Sequence, residues 1–322
     1  MSETAGEHLA PELDVDDAQP AKRMARPKPG FRLGYPGSAT EFLTWIGLVS
    51  AMIKQDCEIV FCEKEIRARS RDGQDAIFFY DTSFKTSWFT EYEVNTRTKG
   101  VLKHKIIVTL PMVYSMLKQV RKIDTVHVEA AADGEHIDIT VHCPAVFTTS
   151  RDGEAREIQT EFETDREWHI KLVDVALCYT EPIILDFHGR LEIGTQLFYN
   201  TLKQAAAAGS EGQIQLSERV CRFLIQGDAA SAVYTVNQFT EDHKAQNLTM
   251  TLYKEDGKPA VICLAWHILL QTEMLQLICS KLVLMISEEP GNGKSSCLHL
   301  HAMFDKGLGF FKFWMAGKTI EN

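Results

Sequence analysis

The chain has 322 residues, 45% of them hydrophobic and 24% charged, with a formal net charge of −10. This is an ordinary globular composition with room for two cores. It excludes a protein that grips nucleic acid through overall charge, so basic residues would have to gather on one surface. No apolar run reaches the roughly 18 residues that cross a bilayer, and the acidic start is unlike a signal peptide. The eight cysteines are scattered, six of them (Cys57, Cys62, Cys143, Cys221, Cys263 and Cys279) in apolar stretches. That pattern is expected of reduced thiols in a cytosolic or nuclear compartment, and the sequon at Asn247 is read as silent.

In chain order, residues 1–29 carry six carboxylates, then Lys22, Arg23, Arg26 and Lys28 among Pro20, Pro27 and Pro29. Too little apolar surface is present to offset the ordering entropy, so a disordered tail is expected. Its basic cluster reads as a nucleic-acid arm, an import signal or a plain solvated tail. Phe31–Tyr35 alternates as a strand. Ser38, with Glu41 three residues on, then suggests a capped helix that buries Phe42, Trp45, Ile46, Val49, Met52 and Ile53. Strands are expected at Glu58–Cys62, Glu65–Ser70, Ala76–Thr82 and Phe89–Val94, with a turn at 71–74. A second helix is expected over Leu110–Arg121, opened by Pro111, then strands at Thr125–Ala130, Ile137–Cys143 and Glu157–Glu163.

From Arg166 to Pro182 the pattern breaks down, as a connector would. Beyond it come a strand (Ile183–His188), a helix (Thr195–Ala208) and strands at Gln213–Leu216, Val220–Ile225, Ala230–Val236 and Leu248–Tyr253. A helix (Leu270–Ser280) and strands at Leu282–Ile286, Cys297–Phe304 and Leu308–Met315 complete the series.

The second series echoes the first. Met116-Leu117-Lys118-Gln119-Val120 returns as Met274-Leu275-Gln276-Leu277-Ile278, 158 positions on. Gly37-Ser38 returns as Gly194-Thr195 at 157, and Ala76–Tyr80 as Ser231–Thr235 at 155. One offset shared by three segments implies two copies of a unit of roughly 140 residues. The expected class is α+β, with two helices per copy on sheets. The boundaries are a tail at 1–29, a first domain at 30–165, a connector at 166–182 and a second domain at 183–322.

Few motifs suggest chemistry. Pro290-Gly291-Asn292-Gly293-Lys294-Ser295 resembles a phosphate loop, but Glu288 stands where that loop needs a glycine, and an alternating strand follows where it needs a helix. A hairpin turn is the better reading. Cys297, His299 and His301 would share a strand face and could begin a metal site, but no fourth ligand can be placed. Nothing has the order of a catalytic triad or a nucleophile elbow. The chain reads as a binding scaffold without cofactor or metal, not as an enzyme.

The duplicated pattern, together with Gly309-Phe310-Phe311-Lys312-Phe313-Trp314-Met315-Ala316-Gly317-Lys318, resembles the proliferating cell nuclear antigen family of DNA sliding clamps. The helix opening at Gly37-Ser38 and the passage from Ser115-Met116-Leu117-Lys118 to Asp124-Thr125-Val126 are similar to it as well. The resemblance covers about residues 30–320. The acidic-then-basic N-terminal segment looks most like the clamps of large DNA viruses such as African swine fever virus. That points to a viral replication site or the nucleus of the host.

The resemblance implies a homotrimeric ring whose helices face double-stranded DNA, held by encirclement, and which docks a DNA polymerase and other replication or repair proteins. Lining cations would be Lys54, Lys118, Arg121, Lys122, Lys203 and Lys281, supplemented by Lys22, Arg23, Arg26 and Lys28. It also implies a client pocket built from Arg71 and Asp75, from the connector residues Val175, Leu177, Tyr179 and Pro182, and from Trp314, Met315 and Ala316. Arg71 and Asp75 replace the family's usual methionine and histidine, and Gly317 its proline. Rival readings are a subunit of a heterotrimeric checkpoint-type clamp, or a clamp-fold transcription factor that does not encircle DNA. A nucleotide-dependent enzyme using Gly291–Ser296 is the rival from another class.

Overall fold

The computed structural model describes residues 29–52, 56–71, 78–98, 100–131, 134–144, 164–173, 186–226, 231–238, 248–253, 257–288 and 296–317. The first half runs β1 (Phe31–Pro36), α1 (Thr40–Met52), β2 (Asp56–Cys62), β3 (Glu65–Arg71), β4 (Phe78–Lys85), β5 (Glu91–Val94) and β6 (Arg97–Thr98). It continues with β7 (Val101–Thr109), α2 (Leu110–Leu117), β8 (Thr125–Ala130), β9 (His136–Cys143) and β10 (Thr164–Lys171). The second half runs β11 (Phe187–Gly194), α3 (Thr195–Ala208), β12 (Glu211–Leu216), β13 (Val220–Gln226), β14 (Ser231–Asn237) and β15 (Thr249–Leu252). It ends with β16 (Ala260–Ala265), α4 (Trp266–Leu270), β17 (Lys281–Glu288), β18 (Ser296–Met303) and β19 (Gly309–Ala316).

A strand–helix–three-strand unit thus occurs four times: β1-α1-β2-β3-β4, β7-α2-β8-β9-β10, β11-α3-β12-β13-β14 and β16-α4-β17-β18-β19. The strands form three antiparallel sheets, ordered β10-β9-β8-β1-β5, β15-β11-β17-β18-β19-β4-β3-β2-β7-β6 and β14-β13-β12-β16. The ten-stranded sheet crosses from one half to the other where β19 pairs with β4, from Gly309↔Phe84 to Met315↔Phe78. The architecture is α+β, helices on antiparallel sheets, as the sequence pattern predicts.

Alternation explains the strands. In β9 every second residue (Ile137, Ile139, Val141, Cys143) is buried, and β8 does the same with Val126, Val128 and Ala130. The hairpin between them turns at Gly134, whose φ of +73° favours glycine. The helix α1 buries Phe42, Trp45, Ile46, Leu48, Val49 and Met52, and its Gly47 lets the Tyr114 ring and the Met274 methyl approach from either side. Each large side chain so buried contributes about 1.5–3 kcal/mol.

The structure departs from the sequence pattern in several places. The helix expected over Leu110–Arg121 ends at Leu117, because the buried Asp124 carboxylate captures the Arg121 backbone N–H (2.8 Å) and its Nε (3.0 Å) and so draws the chain into turns. The helix expected over Leu270–Ser280 is instead the short α4 and a 3-10 turn at Glu273–Leu277. Thr272 separates them: its hydroxyl donates to the Leu269 carbonyl (2.7 Å), and the Tyr199 hydroxyl donates to the Thr272 carbonyl (2.8 Å). The strands β7 and β16 have no counterpart in the sequence reading. The first residues of β7, Val101–Lys105, are exposed or half-buried, and β16 is a short apolar run beside a helix. Thr164–Lys171, whose last six residues fall in the expected connector, is a strand paired with β9 at all eight positions. The strand expected over 157–163 and the remainder of the connector from 174 lie outside the described residues.

Candidate functional site

The helices make one layer over the sheets. The exposed face of α3 follows from its spacing: Gln196, Asn200, Lys203, Gln204 and Ala207 recur at helical intervals, while Phe198, Tyr199, Leu202 and Ala205 pack inward. The layer presents amides and hydroxyls more than cations. Lys203 pairs with Glu273 (2.5 Å), Lys281 with Glu192, and Lys306 with Glu41 (3.5 Å). Lys281 is the main cause holding the Glu192 carboxyl below its usual range. Arg121 is committed to Asp124, whereas Lys118 and Lys122 are exposed just past α2. Lys54 and the tail residues Lys22, Arg23, Arg26 and Lys28 lie outside the described residues.

The opposite face of the ten-stranded sheet holds a charged and aromatic cluster over the junction of the halves. Asp81 on β4 is only 6% exposed and accepts from Arg67 Nε (3.1 Å) and Nη2 (2.9 Å) and from Arg69 Nε (3.2 Å). Across the junction Asp81 stands opposite Lys312. Beside it Trp314 stacks on His299 at 4.6 Å between centroids and meets Phe79 at 5.2 Å. Neither His299 ring nitrogen has a hydrogen-bond partner among the described residues. Burial, reinforced by the charges of His301 and Lys312, pushes the His299 imidazole down to about 4. His301 is lowered too, by burial first and then by Lys312 and Arg190.

Of the pocket residues implied by the family resemblance, Trp314 and the exposed Ala316 lie on this outer face. Met315 is corrected: strand alternation turns it into the core, where it is 1% exposed opposite Leu298, out of a partner's reach. Arg71 is the last residue of β3. Its side chain, Asp75, Val175, Leu177, Tyr179 and Pro182 lie outside the described residues. The glycine-rich segment 290–295 does too, but it joins two antiparallel neighbours, β17 and β18, so a strand follows it rather than a helix. His299 and His301 share a face of β18, yet the described residues hold no group of three or more ligands placed for a metal.

Sequence reasoning passed over Arg67, Asp81 and Arg69, whose only signal is the alternation of arginines along Glu65–Arg71. It also passed over two of the sheet ends, β10 and β14. Among the described residues, β10 pairs with β9 alone and β14 with β13 alone. Both carry exposed side chains at their edges, including Glu167 and His169 on β10 and Val233, 57% exposed, on β14. Asp138 hydrogen-bonds His169 at 2.6 Å and raises its pKa.

No family model matches the sequence, and no curated protein matches it. Among solved structures the chain is similar to a PCNA2–PCNA3 complex from Sulfolobus tokodaii, with a TM-score of 0.65 over 89% of this chain and 98% of that one. The chain has the PCNA-like clamp fold. At 16% identity the likeness speaks for the fold alone. Its few helices on antiparallel sheets agree with that fold.

Proposed function

We propose that this chain is a sliding clamp: three copies join head to tail into a ring around duplex DNA, which keeps a polymerase on its template and docks other replication and repair proteins. The observation that carries the reading is the pair of open edges. Inside the chain the last strand of one unit, β19, pairs with the last strand of another, β4. Their counterparts in the remaining two units are β10 and β14, each of which ends its sheet and pairs on one side alone among the described residues. The join already made within the chain can therefore be repeated between copies, and a head-to-tail contact that closes makes a ring.

The helix layer would line the hole. Its amides and hydroxyls, with Lys203 and Lys281 engaged by carboxylates, suit a sleeve that holds DNA by topology and touches phosphate lightly through water and a few cations such as Lys118 and Lys122. Trp314 on the outer face is the aromatic group best placed for a client segment. A mixed ring with a different chain is the second reading. The similar solved structure is a PCNA2–PCNA3 complex, and the edges here differ in chemistry, β10 being charged and β14 neutral.

Two measurements test this. Light scattering of the purified chain should give three copies per particle; a monomer at tens of micromolar would overturn the homotrimer. Protein loaded on a nicked circle should stay bound until the circle is linearised and should extend the run of its polymerase. Equal loss from circular DNA and from linear DNA with blocked or open ends would overturn encirclement.

A further inference from the structure

The register of the internal junction can be carried to the open edges, and it brings together charges that the chain itself keeps apart; this step rests on the ring reading above. Ile170 sits on Ile137 of β9 as Met315 sits on Leu298 of β18, so Glu167 corresponds to Lys312. Val236 sits on Cys221 of β13 as Phe84 sits on Ile66 of β3, so Val233 corresponds to Asp81 and Arg222 to Arg67. Ile170 takes the place of Met315 and Val236 that of Phe84, all four buried, and the buried face is what fixes a strand's register.

Joining β10 to β14 of a second copy in this register sets Trp168 against Ala232, Arg166 against Tyr234, Glu167 against Val233 and Asp165 against Thr235. The outer face then differs from the internal junction in one respect. Inside the chain Arg67 finds its anion on the adjacent strand, at Asp81. In the second half that position is Val233, and β14 carries no charged residue from Ser231 to Asn237. Arg222 is exposed on β13, level with Thr235. Its nearest anions in the joined sheet are one strand further on in the second copy: Glu167, and Asp165, which also meets His142 of its own chain at 2.8 Å.

We propose that Arg222 reaches across β14 to Asp165 and Glu167 on β10 of the next copy, with the stems of Arg222 and Glu167 covering the exposed Val233. The pairing has a direction. Two β14 edges would have no anion for either arginine, and two β10 edges would leave Arg222 without a carboxylate. Only unlike edges bring Arg222 to Asp165 and Glu167, so the contact favours the head-to-tail order that a ring requires.

The test is charge reversal read by concentration-dependent light scattering, with thermal unfolding as a check on each variant. An exposed ion pair is worth roughly a factor of 3–5 per contact, which over three identical seams becomes about 30- to 100-fold in assembly. Arg222→Glu and Glu167→Arg should each weaken the trimer by at least that much, and the two together should restore most of it. Arg222→Gln and Glu167→Gln, which leave the strands intact, should weaken it by less. A trimer indifferent to either reversal, or a combined variant no better than the singles, would overturn the ion pair and leave the ring standing. A wild-type chain that is monomeric would overturn the homotrimer on which the pair rests.

Discussion

Asp81 is the residue whose removal says most about how the halves are joined. It is almost completely buried and is held by Arg67 and Arg69, whose side chains are 34% and 27% exposed, with Lys312 opposite across the junction. Asp81→Ala would leave three cations facing one another with no anion between them. Removing one partner of a buried pair costs about 3–5 kcal/mol, and the partial exposure of the arginines brings this to about 2–3 kcal/mol. At about 2–4 °C per kcal/mol, the melting temperature should fall by roughly 4–12 °C in calorimetry. Lys312→Met in the Asp81→Ala background should recover about 1 kcal/mol by relieving repulsion, whereas in the wild type it should not stabilise. A melting temperature unchanged by Asp81→Ala, or a further loss on adding Lys312→Met, would refute the reasoning.

Other outcomes follow from the core and the outer face. Trp45 donates from Nε1 to the Thr82 hydroxyl (2.9 Å), which in turn donates to the Phe310 carbonyl (2.6 Å) across the junction. Trp45→Phe should cost about 2 kcal/mol, seen as a lower urea midpoint at constant slope. His299 has a folded-state pKa of about 4 against an ordinary 6.5, so its protonation favours the unfolded chain. Its contribution is complete above pH 6.5 and is lost as pH falls from 6.5 towards 4, on the order of 2 kcal/mol after allowing for its partial exposure. His169 acts in the opposite sense: its raised pKa adds stability at low pH that fades as pH rises. Replacing His299 with leucine should therefore flatten the acid limb of a pH–stability curve, while His169→Gln should remove a fall in stability that sets in as pH rises above about 6.5.

Secondary structure was legible wherever one face of an element is wet and the other buried. The α3 bounds, Thr195–Ala208, and the β8–β9 hairpin follow from apolar spacing alone, because burial of one face imposes a period on the residues. Legibility failed where that contrast fades. The outer end of β7 is mostly wet, β16 is a short run with no polar residue, and β10 buries only Ile170 among eight residues. Helix ends were misjudged at Leu117 and Leu270, where Asp124 and Thr272 redirect the chain through contacts that no spacing predicts.

The candidate site divides along the same line. Trp314 could be picked out from its segment, yet whether Met315 joined it depended on which face of β19 is covered. The lysines on the helices could be counted, but not the carboxylates that engage Lys203 and Lys281. By itself the amino-acid order determined the class and most strands, since these depend on local periodicity. Only the tertiary structure decided that β19 meets β4 while β10 and β14 each keep one side open among the described residues, and that Thr82 bonds Phe310 from 228 positions away. Strand pairing over such distances is chosen by the fit of whole sheets, and no window of residues along the chain contains that information.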